Sequence, residues 1–232
     1  MSKKKLVVFT GAGISAESGI RTFRDAGGLW EEVSIEEVAT FEAWQKDQEK
    51  VLDFYNQRRK QVFETFPNAA HLLLAELEKD FDVQVITQNV DDLHERAGSS
   101  NVLHLHGEIM KARSTVDDSL VYQMSSWQLK TGDTCEKGSQ LRPHIVWFGE
   151  LVPNMDTANL MAAKADLFVV IGTSLNVYPA AGILNFVPPG VPCWLLDPGD
   201  FDMQFYDKLK HIKMTAVQGA NTLKEELRKH LH

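Results

Sequence analysis

The chain has 232 residues, 44% of them hydrophobic, which is enough for one α/β domain with a sizeable core. Its formal net charge of −8, with lysine and arginine dispersed, argues against a nucleic-acid partner. No apolar run approaches the ~20 residues that a membrane span needs, so no membrane partner is expected. The start of the chain has lysines followed by only a short apolar run, so no signal peptide is expected. The two cysteines, Cys135 and Cys193, predict a reducing compartment. The expected location is therefore the cytoplasm.

The first predicted element is a buried strand, residues 5–10, which runs directly into the turn GAG at residues 11–13 and then into a helix start. Bare backbone N–H groups at such a turn bind phosphate, and the hydroxyls of Ser15 and Ser18 could add donors. The dinucleotide fingerprint G-x-G-x-x-G is met only in part, so a plain tight turn at a helix N-terminus is the alternative.

Strands and helices alternate along the rest of the chain, which predicts a doubly wound, Rossmann-like parallel sheet of the α/β class. The further predicted strands are 83–87, 167–172, 191–196 and a weaker edge strand at 211–217. The predicted helices are 48–66, 69–79 and 221–231, and Ser34 with Glu37 fits a capping box for another.

Residues 107–141 form a polar interval of weak periodicity between His106-Gly107 and Arg142-Pro143. We predict that this interval is a small module inserted into a single domain, whose Rossmann-like core takes residues 1–106 and 142–232. Helices within residues 30–66 are expected to contribute to the same small lobe.

Polar or small residues follow four of the predicted strands, and ligands of such folds bind beyond the carboxyl ends of the strands. These segments are residues 10–13, 88–91, 172–174 and 197–199. Among them, Gln88, Asn89 and Asp91 could orient a ribose or an amide-bearing ring. The alternative is an ordinary turn in which Asp91 or Asp92 caps the next helix.

Histidine is the natural candidate for a base at neutral pH, since it titrates near 6.5. His106 stands in the segment LHLHG, directly before Gly107. His104 would point the same way if the segment is extended, and spacing alone does not choose between the two.

Tyr55 and Arg58 are three residues apart on the long predicted helix and share a face. An arginine beside a buried apolar stripe needs an anion, which is either an internal carboxylate or the carboxylate of a ligand. Residues 144–150, an apolar and aromatic segment, could be a strand that pairs with a peptide or simply part of the core.

Five ordered blocks resemble the sirtuins, the NAD-dependent protein deacylases. They are GAGISAESGIRTFR at 11–24, TQNVDDLHERAG at 87–98, LHLHG at 103–107, LRPHIVWFGE at 141–150 and GTSLNVYPA at 172–180. Tyr55, Arg58 and Ala26 look like the subgroup that removes acidic acyl groups, and the resemblance is closest to its bacterial members.

The resemblance implies NAD as cofactor, acylated lysine side chains of other proteins as substrate, and a monomeric enzyme. It implies His106 as the catalytic base, with Asn89 and Asp91 holding the nicotinamide end and a water. The implied cofactor-binding residues are Gly11, Ala12, Gly13, Ile14, Glu17, Phe23, Arg24, Trp30, Gln88, Asn89, Asp91, Gly172, Thr173, Ser174, Asp197 and Ala220. The implied substrate-binding residues are Tyr55, Arg58, Val146, Phe148 and Gly149.

The small module departs from the family, most of whose members hold zinc there with two C-x-x-C pairs. The corresponding residues here are Ser114, Asp117, Cys135 and Gly138. One thiolate of four does not make a structural zinc site, so no metal is expected. Asp197 stands where the family usually has asparagine, and its carboxylate can still accept from ribose hydroxyls.

The predicted function is removal of acetyl and succinyl-type groups from lysine, with release of nicotinamide and O-acyl-ADP-ribose. Two alternatives are a protein mono-ADP-ribosyltransferase, which would use the same activation of NAD, and a non-catalytic sensor of NAD or ADP-ribose. A sensor would not need the base and the acyl-pocket pair together.

Overall fold

A computed structural model describes residues 3–22, 33–173, 175, 180–201 and 209–231. Within these residues a six-stranded parallel sheet has the strand order β3-β2-β1-β7-β8-β9, and an antiparallel sheet has the order β5-β4-β6. The strands are β1 (Lys5–Thr10), β2 (Asp82–Thr87), β3 (Val102–His104), β4 (Gly107–Ser114), β5 (Val121–Gln123), β6 (Leu141–Ile145), β7 (Leu167–Ile171), β8 (Cys193–Leu196) and β9 (Leu209–Ile212). The predicted Rossmann-like parallel sheet is confirmed.

The described helices are α1 (Gly13–Ala16), α2 (Ile35–Val38), α3 (Phe41–Lys46), α4 (Gln48–Glu64), α5 (Ala69–Leu77), α6 (Leu93–Ala97), α7 (Met155–Ala162) and α8 (Ala216–Arg228), with a 3-10 helix at Ala180–Phe186. None of the helices in the described ranges combines the length and the apolar character needed to cross a bilayer.

Both faces of the large sheet are buried, as its continuous apolar strands require. Leu6 and Val8 of β1 face a core that α5 and α8 complete, while Val7 and Phe9 face the opposite core, which includes residues of α7. This layering brings the carboxyl ends of β1, β2, β7 and β8 to one edge, because their registers align Thr10 with both Thr87 and Ile171.

A third core joins helix α4 to the small sheet and contains Tyr55, Ile109 and Trp147. Arg59, which is fully buried, donates to the carbonyl of Ile109 at 2.5 Å and to that of Trp127 at 2.8 Å. These bonds fix the long helix on the second sheet.

The structure differs from the sequence predictions at the last strand and helix, at residues 102–104 and at Ser34. The last strand ends at Ile212, and the last helix begins at Ala216 instead of at 221, because the Thr215 side chain accepts from Gln218 N at 3.3 Å and caps the helix there. Residues 102–104 add a strand to the sheet that was not predicted. Ser34 precedes helix α2, but its side chain makes no capping hydrogen bond.

Candidate functional site

The glycine turn after β1 packs against the end of β7. Gly11 N donates to the carbonyl of Ile171 at 3.0 Å, and Gly13 N donates to that of Gly172 at 2.8 Å. A Cβ on Gly11 would lie 2.6 Å from the Cβ of Thr173, and one on Gly13 would lie 2.7 Å from the Cα of Gly172. These two N–H groups are engaged within the protein, so the glycines serve close packing of two strand ends, and the idea that they leave bare donors for phosphate is wrong for them.

Ser15 is a buried hub that links this turn to the end of β2. Its hydroxyl donates to Asp91 Oδ2 at 3.1 Å and accepts from Asn89 Nδ2 at 3.2 Å. His71 lies behind it: Nδ1 accepts from the backbone of Asn68, which leaves the proton on Nε2, 3.4 Å from the Ser15 hydroxyl. Ser15 therefore positions Asn89 and Asp91 and does not offer its proton outward as the sequence suggested.

Asp91 is 4% exposed and accepts from Leu93 N at 3.2 Å in addition to Ser15. Burial raises the pKa of its carboxyl group above the ordinary value, opposed by these hydrogen bonds. Asp91, and not Asp92, accepts from the backbone at the start of helix α6, which confirms the capping interpretation of this segment for Asp91.

The two histidines of LHLHG are distinguished by their partners. His106 donates from Nδ1 to the carbonyl of Gln88 at 2.9 Å, which leaves Nε2 as the unprotonated nitrogen. His104 donates from Nδ1 to the carbonyl of Asn89 at 2.9 Å, and its Nε2 contacts Glu95 Oε1 at 2.8 Å. Both nitrogens of His104 are thus occupied, and only His106 keeps one that no other described residue bonds.

The two histidine pKa values move in opposite directions. Burial lowers the pKa of His106, so its ring is neutral at pH 7. Burial also acts to lower the pKa of His104, but the hydrogen bond and charge of Glu95 outweigh it and raise that pKa. Of these two histidines, His106 is therefore the one whose ring is neutral with a nitrogen able to accept a proton.

The residues that follow β7 also contribute to the site. The Thr173 hydroxyl donates to Gln88 Oε1 at 3.0 Å and so joins the end of β7 to that of β2. Gly172 has a φ of +62°, and a Cβ there would lie 2.3 Å from Ile14 N, so only glycine fits.

Three of the predicted cofactor residues make contacts within the protein. Glu17 accepts from the backbone N–H of Val217 and caps helix α8. Asp197 accepts from Gly199 N at 2.8 Å, and Ala220 is buried in the core under the sheet. Phe23, Arg24, Ala26, Trp30 and Ser174 lie outside the described residues.

Tyr55 and Arg58 lie on the buried face of α4, each 6% exposed. Burial raises the pKa of Tyr55, which keeps its hydroxyl protonated at neutral pH. Burial lowers the pKa of Arg58 to about 10, with Tyr55 and Asp91 acting in the opposite direction. Arg58 is therefore a buried cation at pH 7.

The apolar segment 144–150 lies across from these residues. Trp147 Nε1 donates to the Tyr55 hydroxyl at 3.1 Å, and Val146 N donates to the carbonyl of His106 at 2.9 Å. Phe148 is 44% exposed and forms a parallel bridge with Thr40, while Gly149 is exposed with open space at its Cα. The segment thus contacts the backbone of His106 through Val146 and the hydroxyl of Tyr55 through Trp147.

Hydrogen bonds connect the residues that stand at the zinc positions of the small module. Cys135 Sγ donates to the Ser114 hydroxyl at 3.3 Å, and Lys137 Nζ lies 2.6 Å from Asp117 Oδ2. Gly138 N donates to the carbonyl of Cys135 at 2.8 Å. Within the described ranges, no group of three His, Cys, Asp or Glu residues could hold a metal ion.

The buried polar residues behind this site were not predicted from the sequence. Thr10 donates to the Thr87 hydroxyl at 2.8 Å and contacts His94 Nε2 at 3.0 Å, and all three are fully buried. His71 was missed as well, although it is the third residue of a helix that begins after Asn68, where a side chain can return to the cap.

The fold and the site together are those of an α/β enzyme, with His106 and the buried polar cluster of Ser15, Asn89 and Asp91 at the carboxyl edge of a parallel sheet. The model of the Sir2 family matches residues 11–179. The chain is 53% identical over 229 residues to the NAD-dependent protein deacylase of Bacteroides thetaiotaomicron, covering 97% of this chain and 98% of that protein. It is 51% identical over 224 residues to the NAD-dependent protein deacylase of Helicobacter pylori, covering 97% of both.

A solved structure of a Sir2 homologue in complex with NAD superposes with a TM-score of 0.88 at 41% identity, covering 99% of this chain and 91% of that one. The chain belongs to the Sir2 family.

Proposed function

We propose that the protein is an NAD-dependent protein lysine deacylase, which releases nicotinamide and O-acyl-ADP-ribose from NAD and an acylated lysine. The observation that carries the proposal is the His106 imidazole, neutral at pH 7, with Nδ1 anchored to the Gln88 carbonyl and Nε2 open among the described residues. The curated relatives named as deacylases support the same activity.

The donor set at the strand ends fits NAD. Hydroxyl, amide and carboxylate groups of Ser15, Asn89 and Asp91 converge in a buried cluster, and such groups can bind ribose hydroxyls and a carboxamide. Gln88 and Thr173 add further polar side chains, directly after β2 and near the end of β7. When bound, NAD supplies the ADP-ribosyl group that receives the acyl chain, and nicotinamide leaves.

Neighbouring groups of the protein hold His106 and Asp91 in the positions that proton transfer requires. The Gln88 carbonyl holds the proton of His106 on Nδ1, so that Nε2 can accept a proton from a ribose hydroxyl. The Ser15 hydroxyl and Leu93 N hold the Asp91 carboxylate at the neighbouring strand end. Because these partners belong to the protein, the site is organised before the ligands arrive.

For the acyl group, we propose that Arg58 and the Tyr55 hydroxyl bind the terminal carboxylate of a succinyl-type chain. A buried guanidinium and a protonated phenol, three residues apart on α4, are the donors that a carboxylate requires. Asp91 also favours the charged form of Arg58, so an acetyl group without a carboxylate is tolerated, and both acyl types are expected as substrates.

For the lysine-bearing peptide, we propose contacts from Val146, Phe148 and Gly149. Phe148 and Gly149 are exposed and follow Trp147, which contacts Tyr55, and Val146 N donates to the carbonyl of His106. The acidic net charge supports the absence of a nucleic-acid partner, and two buried cysteines that form no disulfide support a reducing, cytoplasmic compartment. We propose that the protein is monomeric.

The test is mass spectrometry of the purified protein with NAD and matched acetyl-lysine and succinyl-lysine peptides. Free lysine peptide together with O-acyl-ADP-ribose is the expected result. ADP-ribose attached to protein with an untouched acyl peptide would replace the deacylase with a transferase. Binding of NAD with no product of either kind would leave the sensor.

A further inference from the structure

The hydroxyl of Tyr55 has one hydrogen-bond donor pointing at it. Trp147 Nε1 lies 3.1 Å from the Tyr55 oxygen, and both side chains are buried, at 2% and 6% exposure. An indole N–H can only donate, so the phenol oxygen accepts here. Among the described residues, this is the one hydrogen bond of the Tyr55 hydroxyl, and its proton is therefore directed away from Trp147.

Contacts with neighbouring residues fix both the indole ring and the backbone of Trp147. The Arg142 guanidinium stacks on it, 3.3 Å from the ring centroid, and Trp44 packs with a centroid distance of 5.8 Å. Glu150 accepts from the backbone N–H of Trp147 at 2.8 Å and from Arg142 Nη1 at 2.7 Å. With ring and backbone both fixed, the N–H has one direction, towards Tyr55.

We propose that Trp147 is a positioning residue for acyl selectivity, which aims the Tyr55 hydroxyl proton at the terminal carboxylate of an acidic acyl group. The inference rests on the proposed function, since it assigns a role within the acyl pocket of Tyr55 and Arg58. Trp147 acts through Tyr55 and need not touch the acyl chain itself. Its contribution is to the preference between acyl groups and not to proton transfer at His106.

Phenylalanine at position 147 tests this, because it keeps an aromatic ring for Arg142 and Trp44 and removes the N–H. Without that donor, the hydroxyl of Tyr55 loses its fixed orientation. The expected result for Trp147→Phe is a two- to tenfold fall in the ratio of kcat/KM for succinyl-lysine over acetyl-lysine peptide. A fall of this size corresponds to the net contribution of one hydrogen bond. The change should appear in KM for the succinyl peptide.

The decisive experiment is a double-mutant cycle of Trp147→Phe and Tyr55→Phe, measured at saturating NAD. If Trp147 acts through the hydroxyl, the double variant has the same ratio as Tyr55→Phe alone. Multiplication of the two single effects would overturn the inference and leave a general packing role. Trp127→Phe is the matched control, because it also replaces tryptophan with phenylalanine, but at a ring that contacts Lys60. The ratio of kcat/KM for succinyl-lysine over acetyl-lysine peptide should equal that of the wild type in this variant.

The outcomes separate this inference from the proposed function. An unchanged ratio in Tyr55→Phe would overturn the acyl pocket itself, and with it the role of Trp147. A lowered ratio in Tyr55→Phe with none in Trp147→Phe would overturn the role of Trp147 alone. If Trp147→Phe does not fold, replacement of Trp147 by 3-benzothienylalanine removes the N–H at nearly unchanged shape. A lowered ratio in that variant supports the role of Trp147, and an unchanged ratio overturns it.

Discussion

His71 and His94 meet edge to face in the interior behind the strand ends, with their ring centroids 5.0 Å apart. Each imidazole belongs to a different hydrogen-bonded chain: His71 contacts Ser15, and His94 contacts the Thr10 hydroxyl. Both are fully buried, and burial lowers the pKa of His71 to about 4 and that of His94 well below its ordinary value. The protein thus keeps two neutral imidazoles beneath the Ser15 hub.

These histidines predict an acid-labile fold. Below pH 6.5 the unfolded chain binds protons at both positions while the folded chain excludes them, so the free energy of unfolding falls as the pH falls. Each buried histidine contributes up to about 1.4 kcal/mol per pH unit between its folded and unfolded pKa values. Urea denaturation at several pH values between 7.5 and 4.5 measures the slope.

The variant His94→Gln isolates one contribution, because glutamine can still donate to Thr10 but does not titrate. Its slope against pH should be smaller than that of the wild type by about one proton. Parallel curves for the two proteins would show that His94 titrates normally in the folded state.

Replacement of the base should separate catalysis from cofactor binding. His106→Tyr removes the open Nε2, so turnover with either acyl peptide is expected to fall to background. Binding of NAD, measured by calorimetry, should persist, since Asn89 and Asp91 are each bonded to Ser15 and not to His106. Loss of both binding and turnover would assign His106 a role in folding instead.

The pH profile of the wild type follows from the same ring. His106 must be neutral to accept a proton, and burial lowers its pKa below the ordinary value near 6.5. The ratio kcat/KM should therefore stay level from neutral pH to below 6.5 and fall only at more acidic values. A fall that begins above pH 7 would contradict a buried base.

Arg58→Met tests the carboxylate pocket. A charge-assisted hydrogen bond is worth about 1.5–3 kcal/mol, so desuccinylation should fall by roughly tenfold to hundredfold relative to deacetylation. Lys60→Met removes a cation from the same helix, where it lies over Trp127, and should leave the ratio as it is. Equal loss of both activities in Arg58→Met would count against the pocket.

The small module is expected to be stable without metal. Elemental analysis should find less than stoichiometric zinc, and a chelator should leave the melting temperature unchanged. Ser114→Ala should lower the free energy of unfolding by about 1–3 kcal/mol, because the buried hydroxyl accepts from Cys135 and from two backbone N–H groups. The exposed Ser126→Ala is its control, and one zinc per chain would overturn the expectation.

Two strands of the parallel sheet could be predicted closely from the sequence alone. Residues 5–10 and 167–171 are continuous apolar runs rich in β-branched residues, a pattern that only strands buried on both faces require, and they were predicted within one residue. The final strand and helix were misplaced because a single threonine, Thr215, ends one pattern and starts the next. A cap depends on one hydroxyl, which periodicity does not detect.

The sequence by itself determined the family, the parallel sheet and the edge at which the polar residues gather, since these follow from ordered motifs and hydrophobic period. Only the tertiary structure decided what those residues do. The difference between His104 and His106 depends on Glu95 of helix α6, which contacts Nε2 of His104 and not that of His106. The Ser15 hydroxyl faces Asp91, 76 residues away, and the Gly11 N–H faces Ile171. A hydrogen bond needs its partner within about 3 Å, and proximity between distant segments is created by folding.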